Sequence, residues 1–302
     1  MAITNIERIN NLVDHIEAHL DQDINILELA GSFGMSPWHF QRLFKSLIGD
    51  AVGSYTKGRR LTYAAKLLID TKQSILDIAL QVGFNSHEAF TRSFKSQFSF
   101  TPKEIRSLRP SINLSAKPVL TAQLIHFLST RIEKEPTIQM MPARRAIGFE
   151  IEIASPFVDS VHCSTIAEPW IKLLPRIPEI VSDMYNANLL GVTMSSSGNF
   201  TEEILKYVAA VEVSDSFRKP DDMIEIVIPE QLTATFEISS NVQDDNLKQK
   251  VDSIYGYWLL NANYDRGHGN DYEIFTNIVD AISGKFDARY ILPVKPLIKS
   301  PH

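Results

Sequence analysis

Arg42 and Lys45 in SPWHFQRLFKS (36–46) recur as Arg92 and Lys95 in SHEAFTRSFKS (86–96), fifty positions later and beside the same spaced pair of phenylalanines. On a helix, Phe40, Leu43, Phe44 and Leu47 form one apolar stripe, and Phe90, Ser93, Phe94 and Phe98 form its counterpart. Trp38, His39, Gln41, Arg42, Lys45 and Ser46 are left on the outer side of the first copy. His87, Glu88, Thr91, Arg92 and Lys95 are left on that of the second. These side-chain types suit nucleic acid. Arg bonds guanine O6 and N7 in a bidentate pair, Gln does the same for adenine N6 and N7, and Lys meets phosphate. A single outward Arg on an amphipathic helix is usually a solvated charge. Packing explains the repeated aromatics, but it does not explain cations that recur in register.

The elements that hold these residues are helical throughout residues 1–110. IERINNLVDHIEAHL spaces Ile6, Ile9, Leu12, Val13, Ile16 and Leu20 along one stripe. A short helix then closes on Gly34, and Ser36 caps the next with Pro37 at its first position. A longer helix runs through AVGSYTKGRRLTYAAKLLIDT, and the unit repeats with a turn at Gly83 and a cap at Ser86, one residue longer in the second turn. TPKEIRSL closes the region. Short helix, tight turn and capped second helix make a helix-turn-helix, whose second helix enters the major groove. A connecting helix of about 20 residues is about 30 Å long, close to the roughly 34 Å between successive major grooves on one face of DNA. One chain therefore carries two reading heads and is expected to bind double-stranded DNA as a monomer. Arg59 and Arg60 on the connecting helix are candidates for phosphate contact.

The remainder is of another kind. RPSINLSAKP (109–118) is a linker, and TAQLIHFLSTRI reads as a helix leading out of it. From residue 138 come the β-branched runs IQMMPARRAIGFEIEI, ANLLGVTMS, YVAAVEV, QLTATFEIS and ARYILPV. Two helical stretches, IAEPWIKLLPRIPEIVSDMY and NLKQKVDSIYGYWLLNA, interrupt them. The order strand-helix-strand-strand occurs twice, over 138–213 and 232–293, as in a duplicated α+β module. The reading is a multidomain chain: an all-α domain with two helix-turn-helix units at 1–108, a linker at 109–137, and an α+β domain at 138–296. The net charge of −6 conceals a split, with 13 Lys and Arg against 11 Asp and Glu in residues 1–110, leaving 17 against 25 beyond. No apolar run is long enough for a membrane span, and one cysteine, Cys163, fits a reducing cytoplasm.

Residues 5–107 resemble the DNA-binding domain of the AraC/XylS family on ILDIALQVGFNSHEAFTRSFKSQFSFTP. SPWHFQRLFK resembles the first reading helix of one of its subgroups. The resemblance implies that Trp38, Gln41 and Arg42 contact bases or methyl groups in one groove, and Thr91 and Arg92 in the next. It also implies promoter DNA and RNA polymerase as partners, and an activator. His87-Glu88 departs from the glutamine pair common in the subgroup, so the recognised site should differ. Residues 138–295 resemble a GyrI-like effector-binding domain through MPARRAIGF, IPEQLTATFEIS, YEIF and YILPVKP. That likeness maps the glutamate that meets cationic, apolar ligands onto Glu273. Strand alternation puts Phe275 on the same face as Glu273, and Trp170, Tyr255 and Trp258 on the two helical stretches are candidate ring walls for a cation. The implied partner is a hydrophobic or cationic small molecule.

Two other readings of the second domain stand beside this one. Glu273 could be a general base beside Tyr255 or Tyr257 in a small-molecule hydrolase, or the domain could bind a protein partner. A metal is not expected: His15 and His19 in HIEAH stand four apart, but Glu17 is not in the HExxH position, and DRGHGND (265–271) reads first as a loop. No cofactor is expected either.

Overall fold

The computed structural model describes residues 2–114, 117–118, 120–132, 134–154, 166–183, 186–195, 204–241, 246–275 and 285–297. Cys163, Met184 and Tyr185, and the side chain of Ile6, lie outside the described residues.

The first seven helices are α1 (Ala2–Ala18), α2 (Ile26–Ser32), α3 (Pro37–Ile48), α4 (Val52–Asp70), α5 (Ile75–Gln81), α6 (His87–Phe98) and α7 (Pro102–Leu108). Their starts follow from their caps. Ser36 Oγ accepts from His39 N, Ser74 Oγ from Asp77 N, and Ser86 Oγ from Ala89 N. Thr101 and Glu104 close a capping box on α7. Gly34 and Gly83 occupy the corresponding turns with φ of 66° and 76°, a region that side chains with a Cβ avoid. Leu12, Val13, Ile16, Phe40 and Phe44 form the core of the first unit. Leu61, Ala64, Ala65, Leu68, Phe90, Phe94 and Phe98 form that of the second. The two units are joined by α4, whose 19 residues make it about 28 Å long.

Arg59 and Arg60 do not stand free for phosphate. Arg59 donates from Nε and Nη2 to the two oxygens of Glu17, at 2.7 and 2.9 Å, and the Tyr55 hydroxyl donates to the same carboxylate. Arg60 ties the carbonyls of Leu20, Gln22 and Gly83 together. Arg59 holds the end of α1 to α4, and Arg60 holds the segment after α1 and the second turn to it. Burial opposes ionisation of Glu17, but Arg59 and Tyr55 outweigh it and hold its pKa below the usual carboxylate value. The stabilisation is therefore present above about pH 4.5 and lost as pH falls through the depressed pKa. Glu17→Ala is expected to cost about 2 kcal/mol at pH 7. The same substitution in an Arg59→Leu background should cost far less, as a double-mutant cycle in urea would read.

A short helix, α8 (Ala122–Ser129), leads into strands β1 (Thr137–Met141) and β2 (Arg144–Ala154), then helices α9 (Ala167–Leu173) and α10 (Ile177–Ile180). Strands β3 (Leu189–Met194), β4 (Ile204–Glu212), β5 (Ile224–Ile228) and β6 (Gln231–Asn241) follow. The chain ends with α11 (Asn246–Ser253), a π-helical turn at Ile254–Trp258, α12 (Leu259–Asn261), β7 (Tyr264–Arg266), β8 (Tyr272–Phe275) and β9 (Lys285–Pro296). The sheet order β1-β6-β9-β8-β3-β4-β2-β5 is antiparallel at every pairing. The duplicated module is plain in it. β2-β3-β4 and β6-β8-β9 are equivalent triplets, and they join at the centre through β3 and β8.

Two details depart from the sequence reading. IQMMPARRAIGFEIEI is two strands, because Pro142 lacks a ladder N–H and restricts the residue before it. β1 crosses to pair with β6 of the other half, and β5, which the reading did not include, pairs with β2 in the equivalent exchange. The helical stretch from residue 166 is likewise broken at Leu174–Arg176 into a 3-10 turn, where Pro175 removes an amide donor, and ends at Ile180.

Candidate functional site

The second of the two repeated helices, α6, is open to solvent as its sequence suggests. His87, Glu88, Arg92 and Lys95 on α6 are exposed, Thr91 is half-buried, and Phe90, Phe94 and Phe98 fill the core. The first is different. Trp38, His39 and Gln41 are only 3%, 2% and 6% exposed, and Arg42 and Lys45 are half-buried. This corrects the expectation that this face of α3 is free. The α+β part lies on it, principally through the π-helical turn and α11. Sequence periodicity finds the stripe buried in a helix's own domain, and a second covered face looks polar because its partners are remote in sequence.

The contact is specific. Trp38 packs with Leu205 of β4 and Ile153 of β2. His39 Nδ1 lies 3.2 Å from Asp265 Oδ1. Ser46 meets Gly256, where an added Cβ would stand 2.7 Å from Ser46 Oγ. Arg42 reaches furthest. Its Cζ sits 5.2 Å from the centre of the Tyr255 ring and 5.1 Å from that of Trp38, and its Nε is sealed from solvent without a hydrogen-bond partner. Burial works against its charge, but the Tyr290 and Tyr255 oxygens and the Asp271 and Asp252 carboxylates outweigh it and raise its pKa.

Behind Arg42 is a buried polar cluster. Asp271, 6% exposed, accepts from the hydroxyls of Tyr255 and Tyr290, the latter at 2.8 Å, and from Arg266 Nη2 at 2.8 Å. Burial and the Asp271 charge push the Tyr255 pKa up to about 12. Arg266 also binds the carbonyls of Gly267 and Gly269, so the oxygens of DRGHGND surround a guanidinium. Among the described residues no group of three or more His, Cys, Asp or Glu could hold a metal ion.

Glu273 sits at the join of the two halves, opposite Gly191 of β3 and Tyr290 of β9. Its side chain is half-buried while its carboxyl lies deep, and desolvation pushes its pKa up to about 7. The Asp271 charge adds to the rise, whereas a backbone hydrogen bond and Arg42 oppose it. Gly191 is what admits this carboxyl: an added Cβ would lie 2.9 Å from Glu273 Oε2. Phe275 shares the face and meets Trp170 edge-on at 5.2 Å, and Trp170 Nε1 donates to Tyr207 at 3.1 Å. Burial and Glu273 raise the Tyr207 pKa. Tyr255 stands with Arg42, whereas Trp258 packs edge-on to Phe236 in the core of the second half. The sequence reading named Glu273, Trp170, Tyr255, Trp258 and Phe275, and missed Gly191, Tyr207, Asp271 and Tyr290. A glycine inside the strand LLGVTM was the available signal, since such a residue marks a close approach.

Residues 29–107 match the model of a helix-turn-helix domain, and residues 134–295 match that of the GyrI-like small molecule binding domain. The chain belongs to the AraC/XylS family, with a GyrI-like domain as its C-terminal part. Along nearly its whole length it is similar to the transcriptional regulator Rob of Salmonella typhimurium, 28% identical over 302 residues, covering 95% of this chain and 98% of that one. It is similar also to the right origin-binding protein of Escherichia coli K12, 29% identical over 287 residues, covering 91% and 92%. Its N-terminal third is similar to the regulatory protein SoxS of Escherichia coli K12, 39% identical over 98 residues, covering 32% of this chain and 92% of SoxS.

Proposed function

We propose that this chain is a cytoplasmic transcription regulator that reads promoter DNA through two helix-turn-helix units and senses a hydrophobic cation through its GyrI-like domain. The observation that carries the DNA reading is α6, a capped helix with His87, Glu88, Arg92 and Lys95 exposed on the face away from its core. Its duplicate α3 supplies Trp38, Gln41, Arg42 and Lys45 for a second groove. Activation would proceed through RNA polymerase, with one chain occupying one asymmetric site. Arg92→Ala is expected to cost about 1–3 kcal/mol at the specific site and to relax preference at the base it contacts. Lys95→Ala should weaken all sequences alike. Selection of bound fragments by the full-length protein and both variants tests this, and an unchanged base preference for Arg92→Ala would sink the groove assignment.

The sensing reading rests on Glu273, a carboxyl with a raised pKa beside the Trp170–Phe275 pair and Tyr290, which is suited to a desolvated cation. Catalysis by the same carboxyl finds less support. Tyr255 is committed to Asp271, and Tyr257 packs beside Leu128 and Leu260. We therefore read the domain as a sensor without hydrolytic activity.

A further inference from the structure

The duplicated reading heads differ in one respect that their sequences do not explain: α6 is open, and α3 is covered on both sides. Phe40 and Phe44 face its own domain, and Leu43 and Leu47 meet Ile9 together with Leu120 and Leu128 of the following segment, while Trp38, His39 and Arg42 face the GyrI-like domain. The residues expected to enter a groove are those that the second domain holds. Among them Arg42 is held as a ligand would be, its planar cation 5.2 Å from the centre of the Tyr255 ring and acted on by the charges of Asp271 and Glu273 and the Tyr290 oxygen.

We propose that Arg42 is an internal ligand of the GyrI-like domain, so that the first reading helix and an external flat cation compete for one seat. This rests on the sensing reading given above. The seat narrows the ligand class. Arg42 supplies a delocalised, planar cation, and Trp38 supplies the aromatic body that lies on Leu205 and Ile153. When α3 leaves, both go with it. A small molecule that replaces them carries an amidinium or guanidinium joined to an aromatic group. Such a ligand binds only the released form, and α3 meets DNA only in that form, so each raises the affinity for the other by the same factor. At equilibrium between the closed and released forms, the apparent affinity of either is its intrinsic affinity multiplied by the released fraction.

Gly256 makes the contact testable. It lets the π-helical turn approach α3 so closely that an added Cβ falls 3.2 Å from Ser46 Cβ, near the roughly 3.5–4.5 Å of a disulfide. The double variant Ser46→Cys/Gly256→Cys, in a Cys163→Ser background, should lock α3 down when oxidised. The oxidised full-length protein is expected to bind its specific DNA at least about tenfold more weakly than the same protein after reduction. Equal affinity in the two redox states would overturn the proposal.

Benzamidine, an amidinium on a phenyl ring, probes the seat itself by calorimetry with full-length protein. Arg42→Ala vacates the seat and should bind benzamidine at least about tenfold more tightly than wild type. Asp265→Ala removes the His39 contact while leaving Arg42 and the seat intact, and should move the affinity in the same direction. Equal benzamidine affinity in wild type and Arg42→Ala would overturn the internal-ligand role and leave the sensing reading standing. Binding by neither overturns both.

Discussion

Replacing Asp271 with Ala lowers the stability of the GyrI-like domain by about 3–5 kcal/mol, the expected loss when one partner of a buried ion pair is removed. Asp271 is the hub of a cluster that has little access to water. One oxygen accepts from Tyr255 and Tyr290, and the other from Arg266, whose side chain is 6% exposed. Without the carboxylate, two buried hydroxyls lose an acceptor and a buried guanidinium, still bonded to the Gly267 and Gly269 carbonyls, loses its counter-charge. For a domain of this size the loss corresponds to a fall in Tm on the order of 10 °C. Tyr290→Phe removes only one neutral donor and should cost about 1 kcal/mol. Thermal unfolding followed by circular dichroism separates the two. Near-equal effects would mean that Asp271 is not the hub.

Glu273→Gln should weaken binding of a hydrophobic cation by about 2 kcal/mol or more at pH 8, a factor of roughly 30. The wild-type affinity should rise as pH increases through about 7, where the carboxyl ionises. The groups around it are Asp271, Tyr290, Tyr207 and Arg42, and comparison with the variant isolates the contribution of Glu273. The variant should show a flat profile, and an equal slope in both proteins would remove Glu273 from the site. Stability runs the other way. The native carboxyl holds its proton up to about pH 7, while the unfolded chain releases it near 4.5. Wild-type stability is therefore lost progressively between those values as pH rises, by about 3 kcal/mol at most. Glu273→Gln should be the more stable protein at pH 8 and no more stable at pH 4.

The two helix-turn-helix units, their caps and the α+β duplication were legible in the sequence because each depends on neighbours within a few positions. Ser36, Ser86 and Thr101 begin helices wherever they precede such a run. Phe40–Phe44 and Phe90–Phe94 repeat because the same local unit must bury the same stripe. Glu273 could be placed on a strand with Phe275 by alternation and a family likeness. What the sequence could not determine is what α3 touches beyond its own domain. Trp38 meets Leu205, His39 meets Asp265, and Arg42 meets Tyr255, partners separated by 160 residues or more. The same holds for the exchange of β1 and β5 between the halves, and for Asp271 as the acceptor of two tyrosines and an arginine. Outward cations on α3 and α6 are spelled alike. Only the tertiary structure makes one a solvent-exposed face and the other a buried contact, because burial depends on which surface arrives and no local pattern records that.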